Sequence, residues 1–383
     1  MNSDAVWDLV VVGAGPAGAS TALAALRVRP ELRVLLLDRA DFPRDKCCGD
    51  GVAPHAVEVL ASLGAGDVVA GWAPVRRLDL SLGQHRVAGT MARPAWVIPR
   101  QVFDARIVEH AVAAGAVLRR HRVRSLQQDG AELLLDGAIR ARLVVGADGA
   151  HSAVRRALHV PGTARTALAL RGYAPTPPGR RGQQVIRFGD RSQPSYAWTF
   201  DRGDGLSNVG YGELVGDGEP PTRALMLTEL ERLLPGSTAS GGDWRGHHLP
   251  LSGLDRRVHP TSGRVLLVGD AADLVNPMTG EGIYYAVATG ALAGRAAAEH
   301  VVAGTPDRAA LQHRRAVQRL LGSHLRHTWA AGHLSRHPRV VGAGIRAAAR
   351  DPHVFHTLVE LGLGDGRITP RLAARLAVGL LRT

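Results

Sequence analysis

The residues with the clearest chemistry open the chain. Gly13, Gly15 and Gly18 stand in a G-x-G-x-x-G spacing, with Ala14, Pro16 and Ala17 between them. Glycines so spaced let a backbone turn tightly and come close to a pyrophosphate. A helix starting there offers the anion free N–H groups and the positive end of its dipole. Asp38, twenty residues after Gly18, suits a ribose diol, whose hydroxyls a carboxylate can accept. These types and spacings together point to an adenine dinucleotide. Two more acids, Asp148 and Asp270, each follow an apolar run and sit beside glycine, in Asp148-Gly149 and Gly269-Asp270-Ala271-Ala272. Cys47 and Cys48 are the only cysteines; an adjacent pair builds no disulfide framework, which points to a reducing compartment. His247, His248 and the histidines near the end show no metal-ligand spacing, and no metal is expected.

These residues need elements to hold them. Residues 9–12 read as a buried parallel strand, 16–28 as an Ala-rich helix and 33–37 as a second buried strand. Residues 39–51 have the charge, Gly and Pro of a loop, and helices are expected over 52–63 and 99–114. Residues 75–87 alternate loosely, as in strands of another sheet. A further buried strand at 143–145 runs into Asp148, and the stretch 165–248 reads as β-rich, with Gly/Pro breaks at 175–182 and 216–221. The strand at 264–268 precedes Asp270 and Asn276-Pro277-Met278-Thr279-Gly280-Glu281-Gly282-Ile283, after which a helix is expected over 284–301. The organisation predicted is α/β. A discontinuous Rossmann-like nucleotide domain takes 1–74, 97–162 and 257–304, and an inserted β-sheet domain takes 75–96 and 163–256. A helical region fills 305–383.

The chain has 383 residues, 45% of them hydrophobic, and a net charge of +13. From Thr305 onwards there are 13 Arg against 4 acidic residues, a net +9, together with seven of the 17 His. That tail reads either as a helical cap with arginines in water or as a surface for an anionic membrane. Nucleic acid is not expected, because Trp329 and Phe355 are its only aromatics. The opening residues are polar and no apolar run approaches the about 20 residues a spanning helix needs. The expected location is the cytoplasm, or the inner face of a membrane if the tail binds there.

This set resembles the FAD-binding fold of the para-hydroxybenzoate hydroxylase type and, within it, the geranylgeranyl reductase family, over nearly the whole chain. The likeness rests on the glycine motif, Lys46-x-Cys48-Gly49, Asp148-Gly149, Gly269-Asp270-Ala271-Ala272 and Gly280-Glu281-Gly282-Ile283. It rests also on Tyr196-Ala197-Trp198-Thr199-Phe200 followed by Gly210-Tyr211-Gly212. Asp201 stands where the family's aromatic segment has proline. Halogenases of the same fold carry W-x-W-x-I-P, which this chain lacks.

The resemblance implies FAD as cofactor. Gly13, Gly15, Pro16, Ala17 and Gly18 would take its pyrophosphate, and Asp38 and Arg39 its adenosine ribose. Arg100, Gly269, Asp270 and Pro277 would lie along its phosphates and ribityl chain. Gly49, Gly280, Gly282 and Ile283 would lie by the flavin ring, the last three with N–H groups aimed at its O2. Asp148 belongs to the same set, chiefly as a turn cap. Cys48 would be the catalytic residue, its pKa lowered by Lys46, a helix start or the flavin itself, while Cys47 reads as a small buried hydrophobe. Tyr196, Trp198, Phe200 and Tyr211 would line the cavity of an apolar small-molecule substrate. The activity implied is reduction of carbon–carbon double bonds in an isoprenoid or polyene-like natural product. The alternative is a monooxygenase (hydroxylase or epoxidase), though such enzymes carry G-Q-G-L-N or a close variant where this chain has Gly280-Glu281-Gly282-Ile283. No second G-x-G-x-x-G occurs, so the electron donor is either NAD(P)H bound transiently or another external donor such as ferredoxin. No oligomeric state is specified.

Overall fold

In a computed structural model, which describes residues 6–163, 166–215, 219–252 and 263–381, the opening motif joins strand β1 (Trp7–Val12) to helix α1 (Pro16–Val28). Strand β2 (Val34–Asp38), the two-residue β3 (Gly51–Val52) and helix α2 (Pro54–Ser62) follow. A hairpin of β4 (Val75–Leu82) and β5 (His85–Val97) leads into helix α3 (Arg100–Ala113). Next come β6 (Val117–Arg120), β7 (Leu126–Asp129), β8 (Glu132–Leu135), β9 (Ile139–Gly146) and the short helix α4 (Ala153–Ala157). The stretch read as β-rich holds β10 (Thr166–Pro175), β11 (Gln183–Phe188), β12 (Tyr196–Asp201), β13 (Leu206–Leu214) and, after α5 (Arg223–Leu233), β14 (Gly242–Pro250). Strand β15 (Val265–Leu267) and helix α6 (Ile283–Val302) complete the nucleotide fold. The tail forms α7 (Ala309–Leu334), α8 (Pro338–Arg350), α9 (Pro352–Leu363) and α10 (Pro370–Leu381).

Two sheets result. The first runs β6-β2-β1-β9-β8-β7, with β15 on β9; β6, β2, β1, β9 and β15 are mutually parallel, with β6 exposed at the edge, and the β7–β8 hairpin adds antiparallel strands. Residues 9–12 of β1, 34–37 of β2, 143–145 of β9 and 265–267 of β15 are apolar and buried, and α1 and α6 cover their face with Ala-rich surfaces. Truncating a fully buried side chain here, such as Leu36 to Ala, costs about 2–5 kcal/mol. The second sheet runs β14-β10-β13-β12-β11-β4-β5-β3, antiparallel except where β11 meets β4. Helix α5, which the sequence reading did not anticipate, packs Met226 and Leu230 under β12 and β13. The expected division at 256/257 and residues 216–218 of the expected Gly/Pro break lie outside the described residues.

The tail helices are not a detached appendage. Helix α7 runs along α6, with Leu321 buried, Leu320 and Leu325 packed on the core and Arg315, Arg319 and Arg326 exposed. Helices α8, α9 and α10 instead cover the second sheet, where Ile345, Phe355 and Leu372 join Val75, Leu78 and Val97. An ion cluster ties α9 back to α2. Glu360 lies 3.0 Å from His55, and Arg93 of β5 lies 3.0 Å from Glu360 and 2.9 Å from Glu58. His55, Glu360 and Asp365 bring three ligand atoms within 4.8 Å of one another, but the Arg93 guanidinium, also on His55, already supplies the cation.

Candidate active site

One cavity of about 920 Å³ runs from the β1–α1 turn to the tail helices. Gly13, Gly15, Pro16 and Ala17 wall one end, with Asp38 and Arg39 at the tip of β2. Helix α1 has no side-chain cap, so its first-turn N–H groups remain for an anion. A Cβ on Gly13, at φ +100°, would stand 2.3 Å from the Ala147 carbonyl oxygen, and one on Gly18 would stand 1.7 Å from that of Gly13. Gly18 therefore serves the close packing of α1 on β1 and does not reach the cavity, contrary to its expected phosphate contact. Gly269 is likewise outside the cavity wall, packed against Ala17 and Ala286. Asp38 accepts from the N–H groups of Ala14 at 2.9 Å and Ala40 at 3.0 Å, and from Arg44 at 3.3 Å. Arg44 also meets Asp104 at 3.2 Å and adds a cation to this end. The open glycine turn, uncapped helix start, strand-end acid and nearby arginine fit an adenine dinucleotide.

Asp148, Asp270, Pro277, Gly280, Gly282, Ile283, Arg100, Cys48 and Gly49 line the middle of the cavity. Asp148 is committed to capping α4, accepting from the Ser152 hydroxyl at 2.5 Å and the Ala153 N–H at 2.6 Å. Burial works to raise the Asp270 pKa, but Lys46, 3.2 Å away, leads the charges that hold it below the usual range. The expected activation of Cys48 by Lys46 therefore does not occur, since the ammonium is turned to Asp270. Burial raises the Cys48 thiol above its ordinary value, with the Arg100 guanidinium only partly offsetting it. Arg100 forks onto Asp104 at 2.6 and 2.8 Å, inside the protein, beside that thiol. Cys47 is a half-buried donor and not a plain hydrophobe: its thiol reaches the Arg245 carbonyl oxygen at 3.0 Å, and burial pushes it up to about 12.

Two more groups depart from the sequence reading. The Ile283 N–H, expected to face the flavin, helps to stabilise the Glu281 carboxylate, which also accepts from the Tyr284 N–H at 2.9 Å. Burial raises Glu281 to about 7 even so. His247, expected to be solvated or satisfied, is half-buried in the wall near His151 and Lys46. Its Nε2 lacks a partner, and burial followed by Lys46 pushes it down to about 4.

The other half of the cavity is apolar. Tyr196, Trp198 and Phe200 alternate along β12 onto the cavity face. They are opposite Gly212, Gly210 and Asn208 of β13. A Cβ on Gly210 would fall 2.2 Å from the Trp198 ring, so the G-x-G exists to seat the indole. The register corrects one expected lining residue. Tyr211 pairs with Ala197, projects to the opposite face, is fully buried and donates to Glu213 at 2.6 Å. Asp201 replaces the proline's constraint with hydrogen bonds, accepting from the Gly182 N–H at 2.6 Å and the Gly203 N–H at 3.1 Å. Opposite the aromatic wall, Val341, Ile345, Leu358, Val359, Leu372 and Leu376 of α8, α9 and α10 complete the chamber.

The fold and this site define an FAD-dependent oxidoreductase. A family model described as an FAD binding domain matches residues 7–173. The menaquinone reductase of Mycobacterium tuberculosis is 34% identical over 317 residues, which cover 76% of this chain and 77% of that one. Digeranylgeranylglycerophospholipid reductase 1 of Methanopyrus kandleri is 32% identical over 326 residues, covering 77% and 81%. Among solved structures, a geranylgeranyl bacteriochlorophyll reductase-like protein of Thermoplasma acidophilum superposes with a TM-score of 0.79 at 17% identity, over 97% of this chain and 96% of that one. The chain belongs to the geranylgeranyl reductase family of FAD-dependent oxidoreductases.

Proposed function

We propose that this protein saturates carbon–carbon double bonds in an apolar, extended substrate, an isoprenoid chain or a polyene-like natural product. The observation that carries the reading is the continuity of one cavity, from the glycine turn past Cys48 and the aromatic wall into the apolar chamber under the tail helices. Relatives named for menaquinone and for digeranylgeranyl lipids, both with isoprenoid chains, support the substrate class. FAD, bound and reduced, supplies a hydride. The chain's own residues do the rest. Asp38, Arg39 and Arg44 hold the adenosine end, and the α1 N-terminus holds the pyrophosphate. Trp198 and Phe200 lay the substrate across the site, while the tail helices keep water out. Cys48, kept as a thiol by burial, gives a proton to the carbon that does not receive the hydride. The electrons come from NAD(P)H bound transiently or from another external donor.

Substrate enters, on this reading, from an anionic membrane surface on which the protein sits peripherally, at the inner face. Leu334 lines the cavity yet is 50% exposed at the end of α7, and Arg336, His337 and Arg339 beside it are exposed. No helix among the described residues is long and apolar enough to cross a membrane. The test of the reaction class is turnover under strict anaerobiosis with chemically reduced FAD. Hydride transfer needs no O2, and a product that forms only in its presence moves the protein to the monooxygenases.

A further inference from the structure

The apolar half of the cavity holds one side chain out of character. Strand β11 turns Gln184, Ile186 and Phe188 onto the cavity face. Gln184 stands opposite Phe200 of β12 and beside Leu78 of β4. Its Nε2 lies 3.6 Å from where a Cβ on Gly51 would be, at the end of the cysteine loop. The residue is only 3% exposed. Among the described residues its amide has no hydrogen-bond partner on either atom, and neither atom is enclosed, so both open onto the cavity that the residue lines. The other buried amides of the described residues use both ends. Gln193 donates to the Gly189 carbonyl and accepts from the Ser195 N–H at 3.1 Å. Asn208 donates to the Cys48 carbonyl at 2.9 Å and accepts from the Trp198 indole at 2.8 Å. Asn276 donates to the Leu361 carbonyl at 2.9 Å and accepts from the Met278 N–H at 2.9 Å.

The polar side chains that share this lining are already paired. The Tyr196 hydroxyl donates to the Thr279 carbonyl at 2.5 Å, the Trp198 indole to Asn208, and the Ser335 hydroxyl to the Gly332 carbonyl at 3.2 Å. An amide left unmatched in so apolar a lining costs free energy, which a ligand that bonds it recovers. No charged side chain of β4, β5, β11, β12 or the tail helices lines the cavity, so a phosphate or carboxylate would meet no counter-ion in this half. The group that Gln184 suits is therefore polar and uncharged. We propose that Gln184 recognises a neutral oxygen, a carbonyl or a hydroxyl, carried by the substrate. The proposal rests on the reductase reading and narrows it: the substrate is an oxygenated isoprenoid or polyene, not a hydrocarbon. The amide N–H donates to a carbonyl, and the amide oxygen accepts from a hydroxyl. With its oxygen anchored there, the chain lies at a fixed offset along Phe200 and Trp198, and Gln184 selects the double bond presented beside Cys48.

The experiment compares the FAD-loaded enzyme with Gln184→Met, which keeps the reach of the side chain and removes the amide. The ligands are a saturated isoprenoid alcohol, the matching ketone and the matching alkane, with binding followed by perturbation of the FAD absorbance. The wild type should bind the alcohol or the ketone on the order of tenfold to a hundredfold more tightly than the alkane, because the alkane leaves the amide unpaired. Whichever of the two gains more identifies the oxygen. In Gln184→Met that preference should vanish, with the alkane bound at least as tightly as by the wild type and FAD content unchanged. The thermal midpoint of the variant without these ligands should not fall, since only an unpaired amide has gone, whereas loss of a glutamine that merely supported the fold would lower it. Gln184→Leu should repeat the pattern and serves if Gln184→Met does not fold. Equal wild-type affinity for all three ligands, an unchanged preference in the variants, or loss of FAD from them would overturn the proposal. Binding needs no turnover, so failure of the reductase reading shows separately, as a wild type that discriminates among these ligands yet saturates no double bond in their unsaturated counterparts.

Discussion

Trp198 stands in the cavity wall because Gly210 has no side chain. A methyl there would press into the indole and into the Leu170 carbonyl oxygen at 2.4 Å, the kind of overpacking that costs about 1–3 kcal/mol. The alternation of Tyr196, Trp198 and Phe200 is legible in the sequence, as is the G-x-G that accommodates it. The side taken by Tyr211 is not, because it depends on which β12 residue it opposes, and a one-residue slip would reverse it. Lys46 shows the same limit: its proximity in sequence to Cys48 is plain, but its partner Asp270 lies 224 residues away. With Lys46 elsewhere and Cys48 a thiol, the account predicts that Cys48→Ala keeps FAD but loses about a hundredfold in turnover, the weight of a proton donor. Cys47→Ala, which loses only a hydrogen bond to Arg245, should keep most activity. Flavin absorbance and steady-state rates on the two variants check this, and the reverse pattern would contradict the assignment.

At the level of elements, the strand–glycine–helix unit was readable because apolar period, glycine spacing and strand-end acid agree over one short stretch. Helix α5 was not. Of its 11 residues only Met226, Glu229 and Leu230 are buried, too little apolar periodicity to stand out between strands. The α2–β5–α9 ion cluster was also hidden, since its members come from three distant segments. The His55 hydrogen bond, and after it Arg93, hold Glu360 down to about 2 against the opposing effect of burial. A carboxylate depressed on folding contributes stability that is present above its unfolded value, 4.5, and is lost as pH falls towards about 2. The thermal midpoint of the holoenzyme should therefore fall through that window more steeply than that of Glu360→Gln, which should start lower. Parallel curves would mean that the cluster does not anchor α9.

Across the whole molecule, the cavity is a composite of nucleotide fold, second sheet and tail. Its first two walls announce themselves as motifs. The third is built from apolar faces of α8, α9 and α10, whose partner no spacing in the sequence reveals. The charge has the same distribution as in the sequence, with Arg315, Arg319 and Arg326 exposed along α7. Each basic residue near an anionic bilayer contributes about 1 kcal/mol, over a Debye length of about 8 Å. The peripheral reading predicts sedimentation with vesicles containing anionic lipid, weak binding to neutral vesicles, release by high salt, and loss of binding when those three arginines become Gln, with FAD retained. Salt-insensitive indifference to both vesicle types would leave the tail as a cap and favour a natural product dissolved in water as substrate. The central claim is the chemistry, and the mass of the product after turnover with an isoprenoid lipid extract and reduced FAD tests it most directly. The account predicts a gain of two hydrogens for each double bond consumed, whereas a gain of one oxygen would contradict it.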